Sequence, residues 1–139
     1  MSKKVYNLVF KGYWRDINRD KLPSVPGIYI VYRCTYSKMF NTVNLLEIIY
    51  IGQTENVHKR HNDHNKRGEF LNKCQHDETL CYSVAEVNNS DLDIIENALI
   101  FTQKPSLNTS NTDHFNYPPS EFHLEGCCAL MSHTDFTIQ

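Results

Sequence analysis

No stretch of the chain approaches the ~18 consecutive apolar residues that a membrane span requires. The basic start, Met1-Ser2-Lys3-Lys4, leads into Val5 and Tyr6 with neither a long apolar segment nor a small-residue cleavage site. A secretory leader is therefore not expected, and the expected location is cytoplasmic. Cys34, Cys74, Cys81, Cys127 and Cys128 are odd in number and scattered, without a C-x-x-C pair, which argues against a disulfide framework and against an ordinary four-ligand zinc site. Cys74, His76 and Cys81 come nearest to a zinc set. There is no excess of positive charge either. A net charge of -2 argues against a protein that holds DNA mainly by bulk electrostatics.

What the chain does have is an ordinary globular composition, 40% hydrophobic and 12% aromatic, and not that of a disordered chain. Its 139 residues suit one compact domain and leave little room for a second. Residues 5–10 read as a strand. Residues 11–26 read as an irregular approach with the sole tryptophan, Trp14, punctuated by Pro23 and Pro26. Residues 27–34 and 43–51 are rich in β-branched and aromatic side chains and predict two strands. Residues 35–42 between them are polar and long for a hairpin link. A helix is expected over 55–74, interrupted near Gly68, and a third strand over 79–87.

Residues 88–91 predict a turn into a second helix, with Ser90 as N-cap and Asp93 as its capping-box partner. That helix stops before Pro105. Beyond it come Phe115, Tyr117, Pro118 and Pro119, then strand-like pieces near 121–124 and 136–138.

Charge is unevenly distributed. Between His58 and Arg67 stand Lys59, Arg60, Lys66 and three histidines, opposed only by Asp63. On a helix, residues four apart share a face, so Arg60 and His64 project together. His58, His61 and His64 step by three, a pattern more often seen on a wet polar face than at a metal site. In the second helix Glu96 stands among Ile94, Ile95, Ala98 and Leu99. Left unpaired there, a carboxylate costs several kcal/mol in desolvation or its pKa rises. Either a partner cation accounts for it, or it points to solvent with Asn97 and Gln103.

Gly27-Ile28-Tyr29 opens one strand-like run and Tyr50-Ile51-Gly52 closes the next, followed in order by Arg60, His64, Glu96 and Asn108. The set resembles the GIY-YIG nucleases, metal-dependent enzymes that hydrolyse DNA phosphodiesters, over residues 26–110. The resemblance implies an α+β fold: a small antiparallel β-sheet of three central strands with N- and C-terminal additions, flanked by helices. Residues 1–139 would form a single domain, with a core over about 26–110, an N-terminal strand extension (1–25) and a C-terminal structural extension (111–139).

The resemblance also implies a one-metal mechanism. Glu96 gives its carboxylate to Mg²⁺, for which Mn²⁺ can substitute, and the metal keeps several waters and takes a phosphate oxygen. Arg60 offers a permanent planar charge suited to phosphate. By resemblance one or both tyrosines line the pocket: Tyr29 orients or deprotonates the attacking water and Tyr50 hydrogen-bonds phosphate or joins that relay, although the two can be exchanged. Read without the family, both are strand packing. His64 passes a proton, holds the tyrosine in position or contacts phosphate. Asn108 fixes the site by hydrogen bonding from behind, and Gly27 and Gly52 supply shape where a side chain would obstruct. Lys59, Arg60, His64, Lys66 and Arg67 form the expected DNA-binding face. For Lys59, Lys66 and Arg67 taken singly, a solvated helix surface is the plain alternative.

Tyr29 and Tyr50 are 21 positions apart, farther than in compact members of the family. Residues 35–42 are thus an elaboration, either a DNA-contacting loop or a surface excursion. The chain shows no separate DNA-recognition domain. Specificity is expected from that loop, the tail, a homodimer or a separate specificity protein. Two other classes remain open on sequence: a catalytically silent nucleic-acid-binding or regulatory module on the same fold, and a zinc-stabilised interaction protein.

Overall fold

In the computed structural model, which describes residues 3–139, six strands form one sheet in the order β3-β2-β4-β1-β5-β6. They are β1 (Lys4–Arg15), β2 (Gly27–Ser37), β3 (Thr42–Thr54), β4 (Glu78–Glu86), β5 (Ser120–Gly126) and β6 (Asp135–Ile138). The helices are α1 (Val57–Asn62), α2 (Arg67–Lys73) and α3 (Leu92–Gln103), with 3-10 segments at Asp16–Lys21 and Asn89–Asp91. The class is α+β, as expected, and β3, β2 and β4 form the antiparallel centre. The terminal strands extend this centre on one side, where β1 and β5 pair in parallel with Leu8 opposite Leu124. Parallel neighbours need a long crossover, and here the whole intervening core supplies it. No described helix is long and apolar enough to cross a membrane.

β2 and β4 are buried on both faces, which explains their unbroken apolar runs. One face carries Ile28, Ile30, Tyr32 and Cys34 against Ile95, Ala98 and Leu99 of α3. The other carries Tyr29, Val31 and Tyr82 beneath Leu22, Val57 and Phe70. Because strand side chains alternate, Ile28 and Tyr29 face opposite layers. Tyr29 therefore lies under the two short helices, the layer in which the site forms.

Several sequence expectations are corrected. β1 runs past Phe10 to Arg15 through a bulge between Gly12 and Trp14 on β4, so residues 11–15 are not irregular. The helix expected over 55–74 is interrupted, but between Asn62 and Arg67 and not near Gly68, which lies inside α2. Asn56 Oδ1 caps α1 by accepting from the Lys59 N–H at 3.0 Å. It ends at Asp63 because the run His61-Asn62-Asp63-His64-Asn65 offers side-chain acceptors that compete with the helical ladder. His64 Nδ1 takes the Lys66 backbone N–H at 3.0 Å, so His64 sits in the turn and not one helical step above Arg60. Ser90 does not cap α3, which starts after a 3-10 turn without a side-chain cap, and the Asp93 carboxylate accepts from Gln53 instead. Nor is His61 on a wet face. It is 3% exposed, one turn beyond Val57 on the inner side of α1.

Candidate active site

Tyr29 of β2 lies opposite Gly52 of β3, and Tyr50, opposite Val31, is its diagonal neighbour. The two rings stand 6.2 Å apart. A Cβ on Gly52 would fall 2.3 Å from the Tyr29 hydroxyl, so the missing side chain is the space in which that phenol lies. At Gly27 a Cβ would fall 2.4 Å from the Ala85 carbonyl, and glycine there permits the close approach of β4. Tyr29 is 1% exposed, and burial raises its pKa above the usual phenol value, against a smaller opposing effect of Arg60. Tyr50 is half-buried beside Phe70, and its pKa is raised, again chiefly by burial.

Two short helices deliver the groups around Tyr29. The His64 Nε2 lies 2.8 Å from the Tyr29 hydroxyl. Its tautomer follows from the other nitrogen: Nδ1 accepts a backbone N–H, which can only donate, so Nδ1 is bare. Burial, and then the charge of Arg60, lower the His64 pKa to about 3, so the ring is neutral near pH 7 and carries its proton on Nε2. His64 is thus a donor to Tyr29 and not an acceptor of its proton. The Arg60 guanidinium of α1 adjoins the same phenol and favours its ionised form. His61 packs edge-on against Tyr29 at 4.5 Å and Tyr82 at 4.7 Å. Its Nδ1–H donates to the Val57 carbonyl at 3.1 Å, and burial lowers its pKa to about 4, so it is a neutral wall of the site.

Glu96 approaches from α3. Its negative charge raises the pKa of both Tyr29 and Tyr50, whereas that of Arg60 lowers both, so the four groups share one electrostatic site. Among the described residues no side-chain cation pairs with Glu96; its bond is to the Gln53 amide, whose Nε2 donates to Glu96 Oε1 at 3.3 Å and to Asp93 Oδ1 at 2.6 Å. Burial raises the Glu96 pKa, Gln53 opposes that, and Asp93 adds to it.

Sequence reasoning missed Gln53 and Asp93. The signal available was position, because Gln53 directly follows the second triplet and Asp93 lies one helical turn before Glu96. Glu96, Tyr50, Lys66 and Asn108 line a half-open cavity of about 140 Å³ together with Thr109, Ser110 and Asn111. A water occupies about 30 Å³, so the cavity accommodates a divalent cation that keeps part of its hydration. One buried carboxylate with waters and a phosphate is a donor set that Mg²⁺ accepts, and Glu96 fits it.

Asn108 holds the free edge of β3. Its amide donates to the Ile51 carbonyl and its carbonyl accepts the Ile51 N–H, each at 2.9 Å, while the Leu107 N–H donates to the Ile49 carbonyl. These bonds satisfy an edge strand that would otherwise expose its backbone groups. Of the expected basic face, Lys59 is exposed on α1 and Lys66 lies over the Tyr50 ring, 5.8 Å from its centroid. Arg67 is bound to Asp16 at 2.5 Å, and Asp16 also accepts from Tyr82 and Arg19. Its charge is thus committed within the fold.

A larger cleft of about 400 Å³, holding Trp14, Lys11 and Glu86, contains none of these tyrosine, arginine or histidine side chains. Among the described residues no three His, Cys, Asp or Glu side chains converge as a metal site. Cys74, His76 and Cys81 do not assemble: Cys81 is fully buried, whereas the His76 side chain is 95% exposed beside Asp77.

The sheet thus sets two tyrosines on adjacent strands, an arginine and a histidine beside the Tyr29 phenol, and Glu96 with Tyr50 in a small cleft. The GIY-YIG catalytic domain profile matches residues 26–111, well over half the chain. The chain belongs to the GIY-YIG nuclease family. No curated protein and no solved structure matches it significantly.

Proposed function

We propose that this chain is a metal-dependent DNA endonuclease that hydrolyses phosphodiester bonds. The observation that carries this reading is the Tyr29 hydroxyl, which receives the His64 Nε2–H at 2.8 Å and adjoins Arg60, close to the Glu96 cavity. With its lone pair taken by a donor, the phenol presents its remaining bonding capacity to a water at the phosphate. Arg60 and the His64 N–H stabilise the negative charge of the phenolate that exists before it takes the water's proton, and so oppose part of the cost of burial. Tyr29 is accordingly the general base, acting as phenolate. Tyr50 donates to a phosphate oxygen at the rim of the cavity.

Arg60 neutralises the phosphate with a planar, permanent charge. Glu96, held by Gln53, would ligate Mg²⁺ or Mn²⁺, whose charge offsets that building on the phosphate and the departing 3′ oxygen. Asn108 fixes β3 behind this site, and Lys59, Lys66 and His64 line the approach of the DNA strand. The sharing of one sheet by β1, β5, β6 and the matched region supports a single domain across residues 1–139. Five cysteines without a disulfide support a reducing, cytoplasmic setting.

The test is incubation of supercoiled plasmid with the purified protein and Mg²⁺ or Mn²⁺, beside Glu96→Ala and Tyr29→Phe. Metal-dependent nicking or linearisation by the wild type alone is expected. Equal cutting by all three proteins would refute the reading.

A further inference from the structure

The link between β2 and β3 is a projecting arm. β4 covers β2 only as far as Thr35, opposite Glu78, whereas β2 and β3 pair on to Ser37 and Thr42. Residues 38–41 form its tip. The tip is ordered by its own bonds: the Phe40 N–H donates to Ser37 Oγ at 3.3 Å, the Tyr36 hydroxyl donates to Asn41 Oδ1 at 2.9 Å, and Asn41 takes the left-handed conformation at φ 51°. At its end two large apolar side chains stand in water, Met39 at 85% exposure and Phe40 at 73%.

Charge narrows the possible occupant. No Asp or Glu occurs between Asp20 and Glu47 in the sequence. Arg33 is neutralised by Glu47 and Glu78. Lys38 stands at the tip, and the Arg15 guanidinium stacks on Tyr36 at its base, 3.4 Å from the ring centroid. The end of the arm is positive and apolar in a protein of net charge -2.

Area narrows it further. Two such side chains offer a few hundred Å² at most, below the ~800 Å² per partner of a stable protein interface. A wedge between base pairs needs only one or two apolar side chains, and Phe and Met are among those that serve. The arm is continuous with the site, because Tyr29 and Tyr50 lie on its two strands. Nine residues at ~3.3 Å each separate Tyr29 from Lys38, so the tip lies at most about 30 Å away, or about nine base pairs at 3.4 Å.

Resting on the nuclease reading above, we propose that Met39 and Phe40 form a wedge that inserts between base pairs of duplex DNA, within about nine base pairs of the phosphate held at Tyr29, with Lys38 and Arg15 on the flanking phosphates.

The experiment uses the full chain carrying Glu96→Ala, expected to bind without cutting, and the same protein with Met39→Ala and Phe40→Ala added. Relaxed plasmid is incubated with each protein, treated with a type I topoisomerase and resolved into topoisomers. A wedge unwinds the step it opens, so the Glu96→Ala protein shifts the distribution and the triple variant does not. Affinity for a 30-base-pair duplex falls about tenfold in the triple variant while its salt dependence is unchanged, because no phosphate contact is lost. Lys38→Ala in the same background lowers the salt slope instead.

Unchanged affinity and topoisomers in the triple variant overturn the wedge while leaving the nuclease reading intact if wild type still cuts. A dimer in sedimentation that the tip substitutions dissolve overturns it in favour of a second copy. No DNA binding by Glu96→Ala together with no cutting by wild type overturns both readings.

Discussion

The Nε2–H of His64 donates to the Tyr29 hydroxyl oxygen across 2.8 Å, and the direction of that bond is set by the Lys66 backbone N–H on the other ring nitrogen. His64 therefore supports negative charge on Tyr29 and does not remove its proton. His64→Ala is expected to lower the cleavage rate about ten- to hundredfold, the worth of one hydrogen bond to a charged group. Since His64 titrates at about 3, the wild-type pH–rate profile shows no inflection near 6.5 from this residue. Rate measurements from pH 5 to 9 on both proteins check this.

Gly52→Ala places a methyl group 2.3 Å from the Tyr29 hydroxyl, on a ring against which His61 and His64 already pack edge-on. Overpacking of this kind costs about 1–3 kcal/mol. Denaturant unfolding is expected to show a loss in that range, with cleavage lost in conditions where the protein remains folded.

Gln53→Ala removes the amide that donates to both Asp93 and Glu96. Two neighbouring carboxylates then repel without a donor between them, which raises the Glu96 pKa further and disorders its side chain. Titration of activity with Mn²⁺ should show the half-saturating concentration rising about tenfold, in line with loss of a group that orients a metal ligand. The rate at saturating metal changes much less.

Asp16→Asn tests the place of Arg67. Asp16 binds Arg67, Arg19 and Tyr82 together, so its neutralisation leaves a half-buried guanidinium without its charge partner. A stability loss of about 1–3 kcal/mol is expected. Arg67→Ala should lose a similar amount, and DNA affinity measured well below the melting temperature should change little in both.

The features carried by local pattern were legible in the sequence. The apolar runs of β2 and β3, and the strand predicted over 79–87, are set by β-branched and aromatic content, and the paired triplets placed Tyr29 and Tyr50 on adjacent strands. Features that depend on competition between local and tertiary bonds were not. The Asn- and Asp-rich run after α1 breaks the expected helix because its side chains outbid the backbone ladder. Asp93 reads as a capping residue until Gln53, forty positions earlier, claims its carboxylate. His61 reads as wet until α1 docks it between Tyr29 and Tyr82. The parallel pairing of β1 with β5 joins segments more than a hundred positions apart, which no local window reports.

The most direct test of Tyr29 as the base is single-turnover cleavage against pH at saturating Mn²⁺, for wild type and Tyr29→Phe. Burial holds the Tyr29 pKa above its usual value, so the reactive phenolate fraction, and with it the wild-type rate, should rise about tenfold per pH unit from about pH 6 to 9. Tyr29→Phe should be at least a hundredfold slower and lack that slope. A Tyr29→Phe protein that keeps the wild-type rate and the same rise with pH would contradict the account.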